Sequence, residues 1–460
     1  MWCRRASGAL AVVVCFVVAC APSNRNTQIA ASIQQILGAT RPTSVAENIW
    51  TDVHRFYKDR TYAPAWMQDD DTSKVAAALD VLQSAADHGL AASDYSDDIA
   101  KAIASKGESE DSIDRVPDLA QLDVRLTIEL LALGHDVALG HSSPETLDPR
   151  WKKRRTAPDF AGLLARAAAG DLNTWLPSVQ PKHPEYASLQ KTLASMRSQP
   201  VTRGDDRQRL LAMNLERWRW MPDDLGLRHI LVNVPAFHLA ARENGRAVLD
   251  MKVVVGEADA EHMTPIFSGE MATVVFSPYW NVPDSIVEGE TVPALARDPS
   301  FLERNNIEIL RQSKGEAELV DPSSVNWDDE DELKQLLFRQ RPGPQNALGH
   351  VKFLFPNPFH VYLHDTPADA LFARRGRALS HGCVRLEQPE ALAQYLLQDS
   401  SDWDAQRIRT AMNAGVEKPV ALKEKIPVHI VYFTAWPTGD GGFDTWPDVY
   451  GYDTKQGRGN

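Results

Sequence analysis

Apolar residues recur at steps of three and four through residues 75–82 and again through 119–139, and Asp, Ser, Pro or Gly bounds each run. That spacing predicts amphipathic helices, because positions three and four apart share one helix face. Residues 45–200 follow the pattern as a whole and read as an α-helical scaffold domain whose His and Trp residues serve packing or surface. The period changes after a break near 198–206, which holds Pro200 and Gly204. A short helix carrying Asn214, Arg217, Trp218 and Trp220 comes first. Alternating, β-branched stretches follow at 229–240 and 246–255, with the hairpin dipeptide Asn244-Gly245 between them, and a third strand is expected at 272–280.

Residues 284–346 interrupt this alternation with acidic, Pro-punctuated, mostly helical sequence, which reads as an insertion over the domain. Its acidic run at 328–332 is a solvated helix start rather than a metal site, because no His or Cys accompanies it. Strands resume at 350–355 and 359–364 around an Asn357-Pro358 turn, then come helices at 389–398 and 403–413, a strand at 428–433, and a Gly- and Asp-rich flexible tail at 437–460. The fold class is therefore α+β: a helical scaffold domain at 45–200, then a mainly β domain at 207–436 with its insertion.

The chain opens differently. Arg4 and Arg5 precede an apolar run at 9–19 that is too short to span a bilayer as a mature helix, so residues 1–19 read as a signal peptide. The string Val17-Val18-Ala19-Cys20 resembles the lipobox of bacterial lipoproteins, in which Cys20 would be acylated. Ala21, not Asp, follows, which in that sorting pattern leans toward the outer membrane. Residues 20–44 are polar without a strong core pattern and read as a tether.

Composition narrows the function. With 460 residues, 43% hydrophobic and 24% charged, the chain can build two or more cores. A net charge of -13 argues against nucleic acid, which needs a clustered basic surface. Cleavage before Cys20 removes Cys3 and Cys15, leaving Cys383 as the single thiol of the folded part. In an oxidising compartment an unused thiol is a liability, so its presence hints at chemistry.

The neighbours of that thiol sharpen the hint. His364 ends an alternating strand with Tyr362 on the same face, and Ser380-His381-Gly382-Cys383-Val384-Arg385 follows a short loop later. A cysteine attacks carbonyls as thiolate, so it needs an imidazole to take its proton or cations to lower its pKa; His364 and Arg385 supply these. Gly382 leaves room for substrate backbone, and the N–H groups of His381, Gly382 and Cys383 are candidate oxyanion donors. Zinc is disfavoured because His364, His381 and Cys383 lack paired ligand spacing. A core cysteine with satisfied histidines stays open as the bland alternative.

The 380–385 string with its upstream histidine resembles the catalytic signature of the L,D-transpeptidases. The likeness extends to 341–349, to Val351-Lys352-Phe353 and His364-Asp365-Thr366-Pro367, and to Asn233-Val234-Pro235 and 278–283, as in the large periplasmic branch of that family. It is specific over about 207–433 and weaker over the helices. The resemblance implies a catalytic domain of β-sandwich type, peptidoglycan stem peptides as donor and acceptor, no cofactor, and 3→3 cross-links made through a Cys383 thioester with release of D-alanine. By motif it implies Cys383 as nucleophile, His364 as base, His381 and Gly382 at the oxyanion site, Arg385 in support, and the Asp365 main-chain carbonyl orienting His364. It also implies that 284–346 caps the substrate, and that carbapenems acylate Cys383. Tyr362 and Trp280 are candidate pocket residues. The family's usual peptidoglycan-binding module has no room between 197 and 207. An L,D-carboxypeptidase or a hydrolase detaching a wall-bound protein would use the same site, and a non-catalytic wall-binding lipoprotein is the reading of another class. The expected location is the periplasm, anchored to the outer membrane.

Overall fold

The computed structural model describes residues 24–68, 73–107, 116–153, 155–197, 206–313, 316–327 and 329–457. The signal peptide, Cys20 and the break at 198–205 lie outside these residues. The chain forms two compact units: the described parts of 1–85, 91–135 and 158–179 in the first, and 86–90, 136–157 and 180–460 in the second.

The first unit is helical. Its helices include Glu47–Asp59, Ser73–Gln83 and Phe160–Ala169, and the helical spacing read at 75–82 is realised in the second of these. Val53, Phe56, Tyr57, Leu126, Leu130 and Trp175 are fully buried in it. The buried carboxylate of Asp123 accepts from the Tyr57 hydroxyl at 2.6 Å and from the N–H groups of Ala65, Trp66 and Met67 at 3.0, 2.8 and 2.9 Å. It thus satisfies a chain reversal that has no ladder of its own. Gly134 is glycine because a Cβ there would stand 2.2 Å from the Trp175 ring. The expected tether needs correction: Asn24–Gly38 is a helix, and Ile29, Ile33 and Leu37, at a helical repeat of four, are buried.

The second unit is built on strands β1 (Arg228–Asn233), β2 (His238–Glu243), β3 (Arg246–Gly256), β4 (Phe267–Phe276), β5 (Trp280–Asn281), β6 (Ile307–Ser313), β7 (Glu316–Val320), β8 (Leu336–Gln340), β9 (Val351–Leu354), β10 (Leu363–His364), β11 (Ala378–Ser380), β12 (Val384–Leu386), β13 (Lys418–Val431), β14 (Ala435–Pro437) and β15 (Phe443–Thr445). The main sheet runs β11-β3-β12-β10-β9-β4-β13-β1-β2, and β2 also pairs with β3, so the strands from β3 round to β2 close on themselves. Val232, Val253, Met271, Phe353, Leu363 and Val428 are buried within this circuit.

Asn244 and Gly245, both at positive φ (49° and 78°), make the β2–β3 turn that their sequence predicts. Two expected strands are each divided. The stretch 229–240 breaks at Val234–Phe237, where Pro235 cannot continue the ladder and Phe237 turns at φ 52°. The stretch 272–280 breaks at Ser277 and Pro278, so Trp280 joins a different sheet.

That second sheet, β5-β8-β6-β7, belongs largely to the insertion, which is not mostly helical as expected. Alternation in Ile307-Glu308-Ile309 and Leu336-Leu337-Phe338 puts Ile309, Leu336 and Phe338 into a core of their own with Val287 and Leu295. The tail also needs correction. β14 and β15 pair, and Tyr450 and Tyr452 are buried in the main core, where large aromatic area outweighs the local Gly content. Residues 86–90 and 136–157 join this unit through buried polar links. Arg219 pairs with Glu216 at 2.6 Å and donates to the His88 carbonyl, and Glu216 accepts from the Ser142 N–H at 2.7 Å.

Candidate active site

The site grows out of one parallel strand pair. Leu363 and His364 of β10 stand in register with Val384 and Arg385 of β12. One step earlier the same register sets Tyr362 beside Cys383, and the Val384 N–H donates to the Tyr362 carbonyl at 3.2 Å. Cys383, His364, Tyr362, Arg385, His381 and Trp280 accordingly line a single cleft of about 200 Å³, and Pro283 together with Ile286 and Glu290 of the insertion completes its wall. The chain returns the thiol to the imidazole's cleft because both flank one ladder.

His364 is buried, and its Nδ1–H donates to the carbonyl of Asp365 at 2.5 Å. Holding the proton on Nδ1 leaves Nε2 as an acceptor. Burial, reinforced by the charge of Arg385, lowers the imidazole pKa to about 3, so the ring is neutral at pH 7. Cys383 keeps a partly exposed side chain. Burial nevertheless pushes its thiol up to about 11, against the backbone and hydroxyl of Tyr362 and the charge of Arg385, which favour thiolate. At pH 7 both shifts leave the thiol and the imidazole of this cleft uncharged. Burial depresses the Arg385 pKa, and its buried Nε has no hydrogen-bond partner among the described residues.

The loop around the thiol is pinned by Ser380. Its Oγ donates to the Cys383 carbonyl at 2.6 Å and accepts the Gly382 N–H at 3.3 Å. The Gly382 N–H, expected among the oxyanion donors, is engaged here by the short side chain two residues back. Gly382 sits at φ +108°, a conformation that disfavours any side chain. The His381 ring pairs with Glu290 of the cleft wall at 3.0 Å and lies edge-on to His262 with centroids 4.7 Å apart. The Asp365 side chain turns away from His364 and accepts the N–H groups of His350 and Thr366, each at 2.7 Å.

Sequence reasoning missed Thr264, Tyr450 and Glu290. Thr264 sits in an unremarked loop and Tyr450 in a stretch read as tail, and neither carries a local pattern that marks it. Among the described residues, Glu257, Asp259 and His262 bring ligand-type atoms within 4.8 Å of one another. Asp259 is engaged there by the N–H groups of Glu261 and His262.

Residues 227–425 match the L,D-transpeptidase catalytic domain, and residues 51–193 match the Scaffold domain. A Haemophilus influenzae protein provisionally named an L,D-transpeptidase is 30% identical over 402 residues, 87% of this chain and 78% of that protein. The chain belongs to the L,D-transpeptidase family. A solved L,D-transpeptidase from Mycobacterium smegmatis is 14% identical, covering 44% of this chain and 58% of its own, with a TM-score of 0.22 that carries no structural argument.

Proposed function

We propose that this protein makes 3→3 cross-links between peptidoglycan stem peptides through a thioester on Cys383. The observation that carries the reading is that Cys383 and His364 line one cleft, with Nδ1 of His364 donating to the Asp365 carbonyl so that Nε2 is left as an acceptor. As sulfur attacks the carbonyl that follows the diamino-acid residue of a tetrapeptide, His364 Nε2 takes the thiol proton and the carbonyl oxygen becomes an oxyanion. Collapse breaks the C–N bond, and the proton passes to the departing D-alanine amine. An amine from a second stem then attacks the thioester and gives its proton to His364, and the thiol is released. Trp280 and Tyr362 serve as walls for the stem, and the Glu290 side of the insertion limits water so that an amine outcompetes it.

The test is incubation of the soluble protein with a disaccharide-tetrapeptide, followed by mass spectrometry. A dimer lacking one D-alanine is expected. Tripeptide monomer alone would assign the site to hydrolysis, and unreacted substrate with a folded enzyme would overturn the reading. We also place the protein at the outer membrane through acylated Cys20; a Cys20→Ala variant that still fractionates with membranes would remove that assignment.

A further inference from the structure

The peptide that joins Gly382 to Cys383 is held from behind by a closed hydrogen-bond ring. Thr264 Oγ1 donates to the Gly382 carbonyl at 2.8 Å and accepts the Gly256 N–H, also at 2.8 Å. The Thr264 N–H donates to Tyr450 Oη at 3.1 Å, and Tyr450 Oη donates to the Gly256 carbonyl at 2.8 Å. Thr264 is fully buried and Tyr450 nearly so. At position 264 a single hydroxyl oxygen accepts one of these bonds and donates the other, which a valine of the same shape cannot do.

The consequence follows from peptide geometry. A trans peptide is planar, with C=O and N–H pointing in opposite directions. Fixing the Gly382 carbonyl on Thr264 therefore aims the Cys383 N–H the other way, out of the core. That N–H makes no hydrogen bond among the described residues, whereas the Gly382 N–H is held by Ser380 and the Val384 N–H by Tyr362. Of the candidate donors for the oxygen of a carbonyl under attack by this sulfur, it is the one whose direction the Thr264 bond fixes. Glycine at φ +108° is also where a peptide plane swings most readily, so the orientation needs an external clamp.

We infer that Thr264, braced by Tyr450, is a positioning residue that aims the Cys383 N–H at the oxyanion of the reaction. This rests on the acyl-transfer reading above and adds to it a residue that touches no substrate. Tyr450 lies beyond the 227–425 stretch that matches the catalytic domain, so this chain recruits its own C-terminal segment to the task.

Two rates on one thiol test it: acylation by a carbapenem, which passes through an oxyanion, and alkylation by iodoacetamide, which does not. Thr264→Val should slow acylation about a hundredfold, the usual cost of losing one oxyanion donor, and leave alkylation within about twofold. Thr264→Ser should restore acylation to within about threefold of the starting protein. Tyr450→Phe keeps the ring and loses the brace; it should reproduce the split at about tenfold and serves if the valine variant does not fold. Acylation unchanged in both Thr264→Val and Tyr450→Phe, or acylation and alkylation falling together, would overturn the inference. Absence of acylation in the unaltered protein would instead overturn the acyl-transfer reading.

Discussion

His364 donates through Nδ1 to the carbonyl oxygen of its own neighbour, Asp365, across 2.5 Å. The acceptor is a main-chain carbonyl of the adjoining residue, and burial of the ring holds the imidazole on it, which sets the tautomer. Replacing His364 by Ala should slow acylation of Cys383 by about a hundredfold or more, the usual contribution of a general base, with the circular dichroism spectrum unchanged. Intact-mass kinetics with a carbapenem reads the rate, and an unchanged rate would show that another group takes the proton.

The resting thiol makes its own pH prediction. Because burial raises Cys383 to about 11, its thiolate fraction keeps growing well past the range in which ordinary thiols are already ionised. The iodoacetamide rate should climb steadily from pH 7 to pH 10.5. A plateau near pH 9 would mean that the thiol is not held in its neutral form.

Acid should loosen the second unit. His364 and His88 are lowered to about 3 and His429 to about 4 from an ordinary 6.5, burial being the first cause in each. The unfolded chain binds these protons near pH 6.5 while the folded chain refuses them. The stability contributed is thus complete above that pH and is lost as pH falls toward 4. The melting temperature followed from pH 7.5 to 4.5 should drop progressively, and His429→Gln should make the drop shallower. Equal slopes for the two proteins would contradict this account.

The C-terminal segment should prove structural. Tyr452 is fully buried, and its hydroxyl donates to Asp148 at 2.9 Å. Tyr452→Ala should cost about 3–5 kcal/mol through the cavity it leaves, and Tyr452→Phe about 1 kcal/mol through the lost hydrogen bond. Urea unfolding of both variants measures this, and an alanine variant as stable as the parent would return residues 447–457 to the status of a loose tail.

In unit 1 a buried carboxylate replaces regular structure. Asp123→Asn keeps the shape but leaves two acceptors with one, so at least one of the N–H groups of Ala65, Trp66 and Met67 loses a charge-assisted partner. About 2 kcal/mol of destabilisation is expected from thermal unfolding of the whole chain, and no change in the rate at which Cys383 alkylates.

Local chemistry was legible without coordinates wherever adjacent residues carry it. The helical periods at 75–82 and 119–139, the Asn244-Gly245 turn, and the grouping of Cys383, His381, Gly382 and Arg385 follow from spacing and residue type alone, whereas loop length only permitted His364 to reach that group and the family resemblance assigned it there. Tertiary structure decided what depends on partners distant in the chain. It turned 24–38 into a packed helix, divided two strands at Pro235 and Pro278, and gave the insertion a sheet. It captured the Gly382 N–H on Ser380 and brought Tyr450 and Thr264 behind the thiol, 186 residues apart. A propensity is a property of neighbours in sequence; burial and a hydrogen-bond ring are set by what the fold places alongside, and no local pattern encodes that.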